Sequence, residues 1–508
     1  MPVFVIVFRC FFMADTPTFD KVRETVGHGL VYGLGGSAAT LVGTILVPVY
    51  TNYLSSEEYG VLALINIMAL LAMMTFNLSL PSGLFRSYFD SDDEDYRKTV
   101  VGTATVILFL MSAILVLTSF VASDFFSMFL FDTPDYGRHI RLIMIASSFT
   151  ILSSVPVQVL RARKLSKRFT VLNIFSILIQ LLAVIYFVVF LGQGVWGVIV
   201  GRFCGEVLTA LLYYGSSLRL LSFRFSLVEA RKQLAFSIPL IFSSISSFIL
   251  TWIDRYFLAV FSTLSTVGVY SLGYRIGMVL NSFLTQPLNM AWGPMMYSVM
   301  RQENARKYYS KMLTYVVFYS LVLTLPISLL SKEVLELISK REFWDAYKVV
   351  PIICLAYVMQ AATQTINVGI GINRKSKLVT TYVTVGAIVN VILNYFLIPV
   401  YGMMAAAYTT LFSYIIMLGM SYKFNQKLYP IIYEWGRILR LFFVAVFLMV
   451  LGFYFEIDSI LLSAAYKTML ILSFPTILFL TNFFDKEEKK RMREIYSQSR
   501  KSLGKKSM

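Results

Sequence analysis

Runs of about 20 predominantly apolar residues recur along the whole length of this chain, and nothing else in it constrains the fold as tightly. A helix of that length rises about 30 Å, the thickness of a bilayer's hydrocarbon layer. Inside that layer every backbone N–H and C=O needs a partner within the protein, so only helices and closed barrels can cross it. The short alternating strands of a barrel are absent from the sequence. The fold class is therefore all-α: a polytopic membrane protein of about 14 transmembrane helices. The chain is 57% hydrophobic and 14% charged, against about 45–50% and about 25% in soluble chains. The spans fall near 28–50, 59–81, 99–122, 140–160, 169–191, 195–217, 234–260, 266–297, 313–330, 346–371, 378–399, 402–422, 436–455 and 460–483.

Orientation follows from the basic residues between spans. With the N-terminus inside, the inner segments carry 34 Lys and Arg and the outer segments carry 6. Both termini are expected in the cytoplasm. The net charge of +17 would suggest nucleic acid in a soluble protein; here it reports topology, and no nucleic-acid partner is expected. Three cysteines and two histidines are scattered, without disulfide or metal spacing. The acidic run Asp90–Asp95 lies in an inner loop rich in solvated charge, so no metal site is expected. The first 12 residues, MPVFVIVFRCFF, are too short to span and are interrupted by Arg9. Translation is expected to begin at Met13.

An internal repeat organises the chain. Val49–Ile65 (VYTNYLSSEEYGVLALI) is echoed by the stretch from Ile253 to Gly277. Each reads as an outgoing helix, a polar turn and a returning helix opened by Tyr-Gly or Val-Gly. Gly60 and Gly268 are 208 residues apart, Lys167 and Lys377 are 210 apart, and Gly197 and Gly402 are 205 apart. The offsets describe a parallel duplication of six spans. The expected divisions are a cytoplasmic segment 1–27, a first lobe 28–217, an inner linker 218–233, a second lobe 234–422, two further spans in 436–483 and a basic tail 484–508. Transporters with such repeats carry the substrate route between the halves. The first span is rich in small residues such as Gly43, which let helices approach closely. Pro287 and Pro294 favour a bend in the eighth span.

The charges inside spans mark where lipid-facing logic is suspended, because each costs about 3 kcal/mol on insertion scales unless it meets a partner or a wet cavity. Arg202 and Glu206 stand one turn apart on the sixth span, Asp254 and Arg255 lie near the outer end of the seventh, and Arg275 is on the eighth. Arg86 stands at the inner end of the second. A cavity shared by these groups would be net positive and suited to phosphate, since a guanidinium donates two parallel hydrogen bonds to phosphate oxygens and stays ionised when dry. Equally, Arg202–Glu206 and Asp254–Arg255 read as neutralised pairs that pin helices. Arg275 has no acid nearby in sequence. Glu206 and Asp254 are the candidates for ion coupling. Asn281, Gln286 and Asn289 add polar positions along the eighth span, with Asn281 a candidate substrate contact, and Lys467 is expected to snorkel to the outer interface.

Four motifs together resemble a known family. DR-x-x-L at Asp254–Leu258, G-x-Y-x-x-x-Y-R at Gly268–Arg275, SSEEYG at 55–60 and G-x-x-x-A-A at Gly402–Ala407 are similar to those of polysaccharide-transport proteins, the lipid-linked oligosaccharide flippases of the multidrug/oligosaccharidyl-lipid/polysaccharide exporter superfamily. The likeness covers residues 20–485. It implies two six-helix lobes with two added C-terminal helices, and residence in the inner, cytoplasmic membrane. It also implies movement of a polyprenyl-diphosphate-linked glycan from inner to outer leaflet by alternating access, through a cationic central cavity. Arg86, Asp254, Arg255 and Arg275 match charged motif positions; Arg202 and Glu206 match none. Polysaccharide polymerase and chain-length enzymes are the implied protein partners, besides the membrane lipid itself.

Two other classes compete. A cation-coupled drug or metabolite exporter of the same superfamily commonly places an acid in the first lobe, where Glu206 is the one acid inside a span. A membrane glycan polymerase or ligase needs catalytic groups on a sizeable outer loop, and the outer loops are short. No cofactor is expected, and no G-x-x-x-x-G-K-[ST] phosphate loop occurs. Export is then driven by a Na⁺ or H⁺ gradient, by the membrane potential or by downstream consumption.

Overall fold

A computed structural model describes residues 43, 45–455, 457–485 and 488–489, apart from a few side chains within helices. All secondary structure among them is helical. The expected segment 1–27, most of the first span and nearly all of the basic tail lie outside the described residues; the first span is represented by its C-terminal end, helical over 45–53.

The major helices are α1 (Ser56–Phe76), α2 (Leu80–Tyr88), α3 (Glu94–Phe131), α4 (Gly137–Ala162), α5 (Ser166–Ile185), α6 (Gly194–Ser217), α7 (Leu227–Phe261) and α8 (Leu264–Leu280). They continue as α9 (Gln286–Val299), α10 (Ala305–Leu329), α11 (Ser331–Ile338), α12 (Val350–Ile366), α13 (Val368–Ile372), α14 (Lys377–Leu428), α15 (Trp435–Tyr454) and α16 (Ile460–Leu480). Ten described helices are long and apolar enough to cross a bilayer singly, or 11 when the 3₁₀ segment Arg341–Lys348 and α12 are taken as one bent span. Two further spans are hidden in that count. α8 and α9 together carry one, and α14 carries two of the spans expected from sequence.

The reason for the second case is local. α14 is 52 residues long but reverses at Gly402, where φ is 54° and ψ is −135°. Thr409 donates to Asn394 across the reversal. A straight helix would hold those two residues about 22 Å apart. No atom lies within 4 Å of where a Cβ would sit on Gly402, so the positive φ, not crowding, favours glycine there.

Breaks in other spans have equally specific causes. α1 gives way to α2 through Leu78 and Ser79, both with φ near 50°, and Pro81 then opens α2. Between α8 and α9 the chain widens into a π turn, Asn281–Thr285. Pro287 just beyond it has no N–H to donate backwards and its ring crowds the preceding turn, which favours the wider winding.

The buried apolar side chains form two large cores. One draws chiefly on residues 46–199 and the other on residues 258–484. α8 lies between them. Val267, Tyr270 and Tyr274 face the second core, while Val269 and Leu272 face the first. A helix buried on both sides presents little surface to lipid, so a polar side chain on it must be satisfied by protein or by an internal cavity.

Candidate functional site

The helices α1 and α8 meet at their N-terminal ends. Each begins with a side-chain cap. Ser55 accepts from the backbone N–H of Glu58, which returns the bond to the Ser55 N–H, and Thr263 accepts from Thr266. These caps are 208 residues apart, so the repeat reproduces the helix starts. Gly60 and Gly268 then pack backbone to backbone: a Cβ on Gly60 would overlap the Leu264 carbonyl, and one on Gly268 would overlap that of Ser56. Ser56 Oγ and Ser265 Oγ are hydrogen-bonded at 2.8 Å. Glu342, in the outer loop before α12, accepts from the Ser56 N–H at 2.9 Å and its hydroxyl at 2.7 Å. Thr51 and Asn52 donate to the Ile338 carbonyl at 3.1 and 3.0 Å. The N-terminal ends of α1 and α8 are thus sealed together.

Below this seal lies the charged region. Asp254 and Arg255 form a closed pair with side chains 1% and 2% exposed, and Arg255 Nη1 stands 2.8 Å from Asp254 Oδ1. The same Nη1 donates to the Thr251 carbonyl at 2.7 Å, and Tyr270 donates its hydroxyl to the second Asp254 oxygen. The guanidinium lies 4.2 Å from the Tyr274 ring centre and 4.6 Å from that of Trp252. Of the two readings open in the sequence, the structure displays the pin. Both side chains are buried in this conformation, enclosed by Thr251, Trp252, Tyr270 and Tyr274.

Arg275 and Arg202 are placed differently. Arg275 is half-buried and donates to the Tyr59 hydroxyl at 3.4 Å, with the Tyr50 ring centre at 6.0 Å. A Cβ on Gly43 would come within 2.5 Å of Arg275 Nη2, so the small residue in the first span lets the guanidinium lie against that helix. Arg202 donates to the Asn66 side-chain oxygen at 2.7 Å. Glu206 lies beside Thr150, within electrostatic reach of Arg202, but no ion pair closes between them. Tyr50 feels both Arg275 and Arg202. Tyr59 and Asn66 are seven residues apart on α1 and so share one stripe of it. Among the described residues no carboxylate forms an ion pair with either arginine.

The remaining candidates disperse. Arg86 is exposed on α2, its guanidinium 5.0 Å from the Phe236 ring centre on α7. Asn281 is half-buried at the first position of the π turn. The side chains of Gln286 and Asn289 lie outside the described ones. Lys467 does not snorkel outward: it is buried and pairs with Glu333 of α11 at 2.5 Å, because a carboxylate from an outer-loop helix reaches it. The acidic run Asp90–Asp95 pairs with Arg97, Arg163, Arg224 and Lys232, tying several inner segments together. Tyr50, Tyr59, Asn66, Ser56 and Glu342 were not singled out from sequence; the first four flank the repeated Gly60, which was the available signal.

Fold and site together define a polytopic, helical membrane transporter whose candidate site is a pair of arginines at a helix seam. Residues 27–300 match the sequence profile of the family described as polysaccharide biosynthesis protein. The chain belongs to that family. No curated protein matches it in sequence. Among solved structures it is similar to a lipid II flippase, MurJ, in an inward closed conformation, with a TM-score of 0.71 at 13% identity over 89% of this chain and 99% of that one. It is also similar to an inward-facing multidrug resistance MATE transporter of the MOP superfamily, with a TM-score of 0.61 at 16% identity over 76% of this chain and 94% of that one. A third likeness is to a MOP superfamily transporter from Pyrococcus furiosus, described as having a binding pocket of reverse polarity. The TM-score there is 0.57 at 14% identity, over 82% of this chain and 98% of that one. At these identities the likeness is one of fold.

Proposed function

We propose that this protein moves a polyprenyl-diphosphate-linked oligosaccharide from the inner to the outer leaflet of the cytoplasmic membrane, by alternating access between two six-span lobes, for cell-surface polysaccharide synthesis. The observation that carries the reading is that Arg202 and Arg275 are both held against α1 by neutral groups alone. A guanidinium at membrane depth without a carboxylate keeps its full charge available to an incoming anion. Two such groups attract a diphosphate and repel cationic drugs. Their donors are loosely engaged: 3.4 Å is a long hydrogen bond for Arg275, and replacing it by bonds to phosphate oxygen strengthens each contact.

The state described here is closed outside. Opening requires the Ser56–Ser265 bond, the Glu342 contacts and the Gly60–Gly268 packing to part. Bonds of this kind are worth about 1 kcal/mol each net, a barrier suited to a reversible gate. An anion carried outward across an inside-negative membrane gains about 2.3 kcal/mol per charge per 100 mV. Glu206, near Arg202, would couple a proton or Na⁺ to that movement. Both termini are assigned to the cytoplasm, where the polymerising enzymes' precursors are made.

The test is a strain lacking the protein, complemented with wild type or Arg275→Ala, in which glycan-loaded carrier lipid is measured by protection from an external, membrane-impermeant glycosidase. Build-up of protected lipid in both the deletion and the Arg275→Ala strain supports the reading. Exposed, unpolymerised glycan outside would instead indicate an enzyme, and unchanged glycan with altered drug tolerance a drug exporter.

A further inference from the structure

The outer face of the second core carries a cleft that the transport site does not use. It has a volume of about 560 Å³ and is lined along its length by Ile352 and Leu355 of α12, Met404 of α14 and Val446 and Val450 of α15. Lys332, Tyr347 and Lys348 also line it. None of Arg202, Arg255 and Arg275 lines it. From Phe455 at the outer end to Val446 is nine residues, about 13 Å of helix, which is close to the depth of one leaflet.

The cleft has an unusual charge for an outer surface. Basic residues are depleted outside a membrane, yet four of the six assigned to outer segments, Lys332, Lys340, Arg341 and Lys348, fall in this one loop. Lys348 pairs with Asp345 at 2.7 Å. Lys332 has no ion pair among the described residues; its ammonium stands 5.8 Å from the Tyr347 ring centre. Lys467 lines the cleft as well, but it is buried and paired with Glu333, which fastens α16 to α11.

We infer that this cleft seats one anionic phospholipid of the outer leaflet, its phosphate on Lys332 and Lys348 and one acyl chain along α12 and α15. An apolar channel one leaflet deep with cationic and aromatic residues in its lining matches that amphiphile in both parts. The separation from the arginines of the lobe seam sets it apart from the proposed cargo, so the inference stands whether or not the protein is a flippase.

The test uses the full chain in nanodiscs of phosphatidylglycerol, transferred to phosphatidylcholine, with the retained lipid counted by native mass spectrometry. Wild type is expected to retain one phosphatidylglycerol. Lys332→Gln should weaken retention about tenfold, the effect of losing one charge-assisted hydrogen bond, and Lys332→Arg should restore it. Val450→Trp, at an exposed position that fills the cleft, should abolish retention without touching the charges. Equal retention of phosphatidylglycerol by wild type, Lys332→Gln and Val450→Trp would overturn the inference. So would displacement of phosphatidylglycerol by added polyprenyl diphosphate, which would make the cleft part of the cargo route.

Discussion

The Asp254–Arg255 pair separates a structural pin from a substrate clamp, and its geometry sets the expected magnitudes. At 2.8 Å and an effective dielectric of about 20, the gross attraction is about 6 kcal/mol. Desolvating the two ions costs several kcal/mol each, so the net contribution of the intact pair is small. Asp254→Ala removes the attraction and leaves Arg255 desolvated among Trp252, Tyr270 and Tyr274. The expected loss is about 3–5 kcal/mol, a large share of a total stability on the order of 5–15 kcal/mol. Arg255→Ala strands the carboxylate similarly, with the Tyr270 hydroxyl as its remaining side-chain donor. Asp254→Leu combined with Arg255→Met removes both ions and keeps the volume, so its cost should be about zero.

The assay is the thermal unfolding midpoint of the full chain in detergent, alongside the amount inserted in membranes and the export activity. Each single variant should lower the midpoint and the inserted amount, and the double variant should recover both, with export following the folded protein. If instead Asp254→Ala and Arg255→Ala keep the wild-type midpoint while export disappears, the pin is wrong and the pair meets the cargo in another conformation.

Gly60→Ala should part α1 from α8, because its Cβ overlaps the Leu264 carbonyl; labelling of Ser265→Cys by an external, impermeant maleimide should rise several-fold, and unchanged labelling would count against the seal. Oxidation of a Ser56→Cys, Ser265→Cys double variant should stop export, with recovery on reduction, since the two hydroxyl oxygens are 2.8 Å apart. Arg275→Lys should retain less than about a tenth of wild-type export, because an ammonium cannot form the two parallel bonds of a guanidinium; full activity would reduce the requirement to charge alone. At the inner face, burial raises the pKa of the Asp485 carboxyl, but bonds from the Glu488 N–H and from Lys311 outweigh it and hold it below the usual carboxylate range. A depressed pKa stabilises the folded state above the unfolded value and loses that effect as pH falls through the folded one. The Lys311–Asp485 contact should therefore survive acidification to pH 3.8, the ordinary value, as read by a fluorophore on the tail; release at pH 5 would contradict the assignment.

The positions of the spans were legible because hydrocarbon leaves the backbone so few options. Apolar length alone located every described span, including the two that run together in α14, since Gly402 interrupts the apolar pattern where the chain turns. What length could not show was how spans break internally. The turn at Leu78–Ser79 puts a leucine, which has no turn preference, at positive φ, and the π turn at Asn281–Thr285 is set by a proline two residues beyond it. The charged residues were found for the same reason as the spans, but not their partners. Lys467 was expected at the interface because its acid, Glu333, is 134 residues away. Asp254 and Arg255 were legible as a pair, but what encloses the pair was not, since neighbours about 100° apart around a helix do not face each other. The pair closes because Tyr270 and Tyr274, on the next helix, leave the guanidinium no wetter place to go.

The repeat says more about the gate than about the site. In a parallel duplication related by a two-fold axis, a residue touches its own counterpart only on that axis. Gly60 touches Gly268, and these are counterparts at an offset of 208; Ser56 and Ser265 differ from that offset by one. On the duplication read from sequence, such an axis would pass through the crossing of α1 and α8, and the seal would be built from equivalent halves. The charges do not follow. At the same offset Arg275 corresponds to Ile67, Arg255 to Val47, Asp254 to Leu46 and Arg202 to Thr410. Each ion is carried by one copy and answered by a neutral side chain in the other. A symmetric seam can open and close by the same motion of either half, whereas the proposed cargo, with one diphosphate, would need its clamp on one side of the axis. Restoring symmetry by Ile67→Arg would put a second guanidinium on α1 at a position packed in the second core, so the inserted amount is measured alongside export. The substitution should raise affinity for the diphosphate while slowing its release, so that carrier lipid stays bound and export falls. Export at the wild-type rate in that variant would mean that the one-sided charge is not what sets the cargo's path.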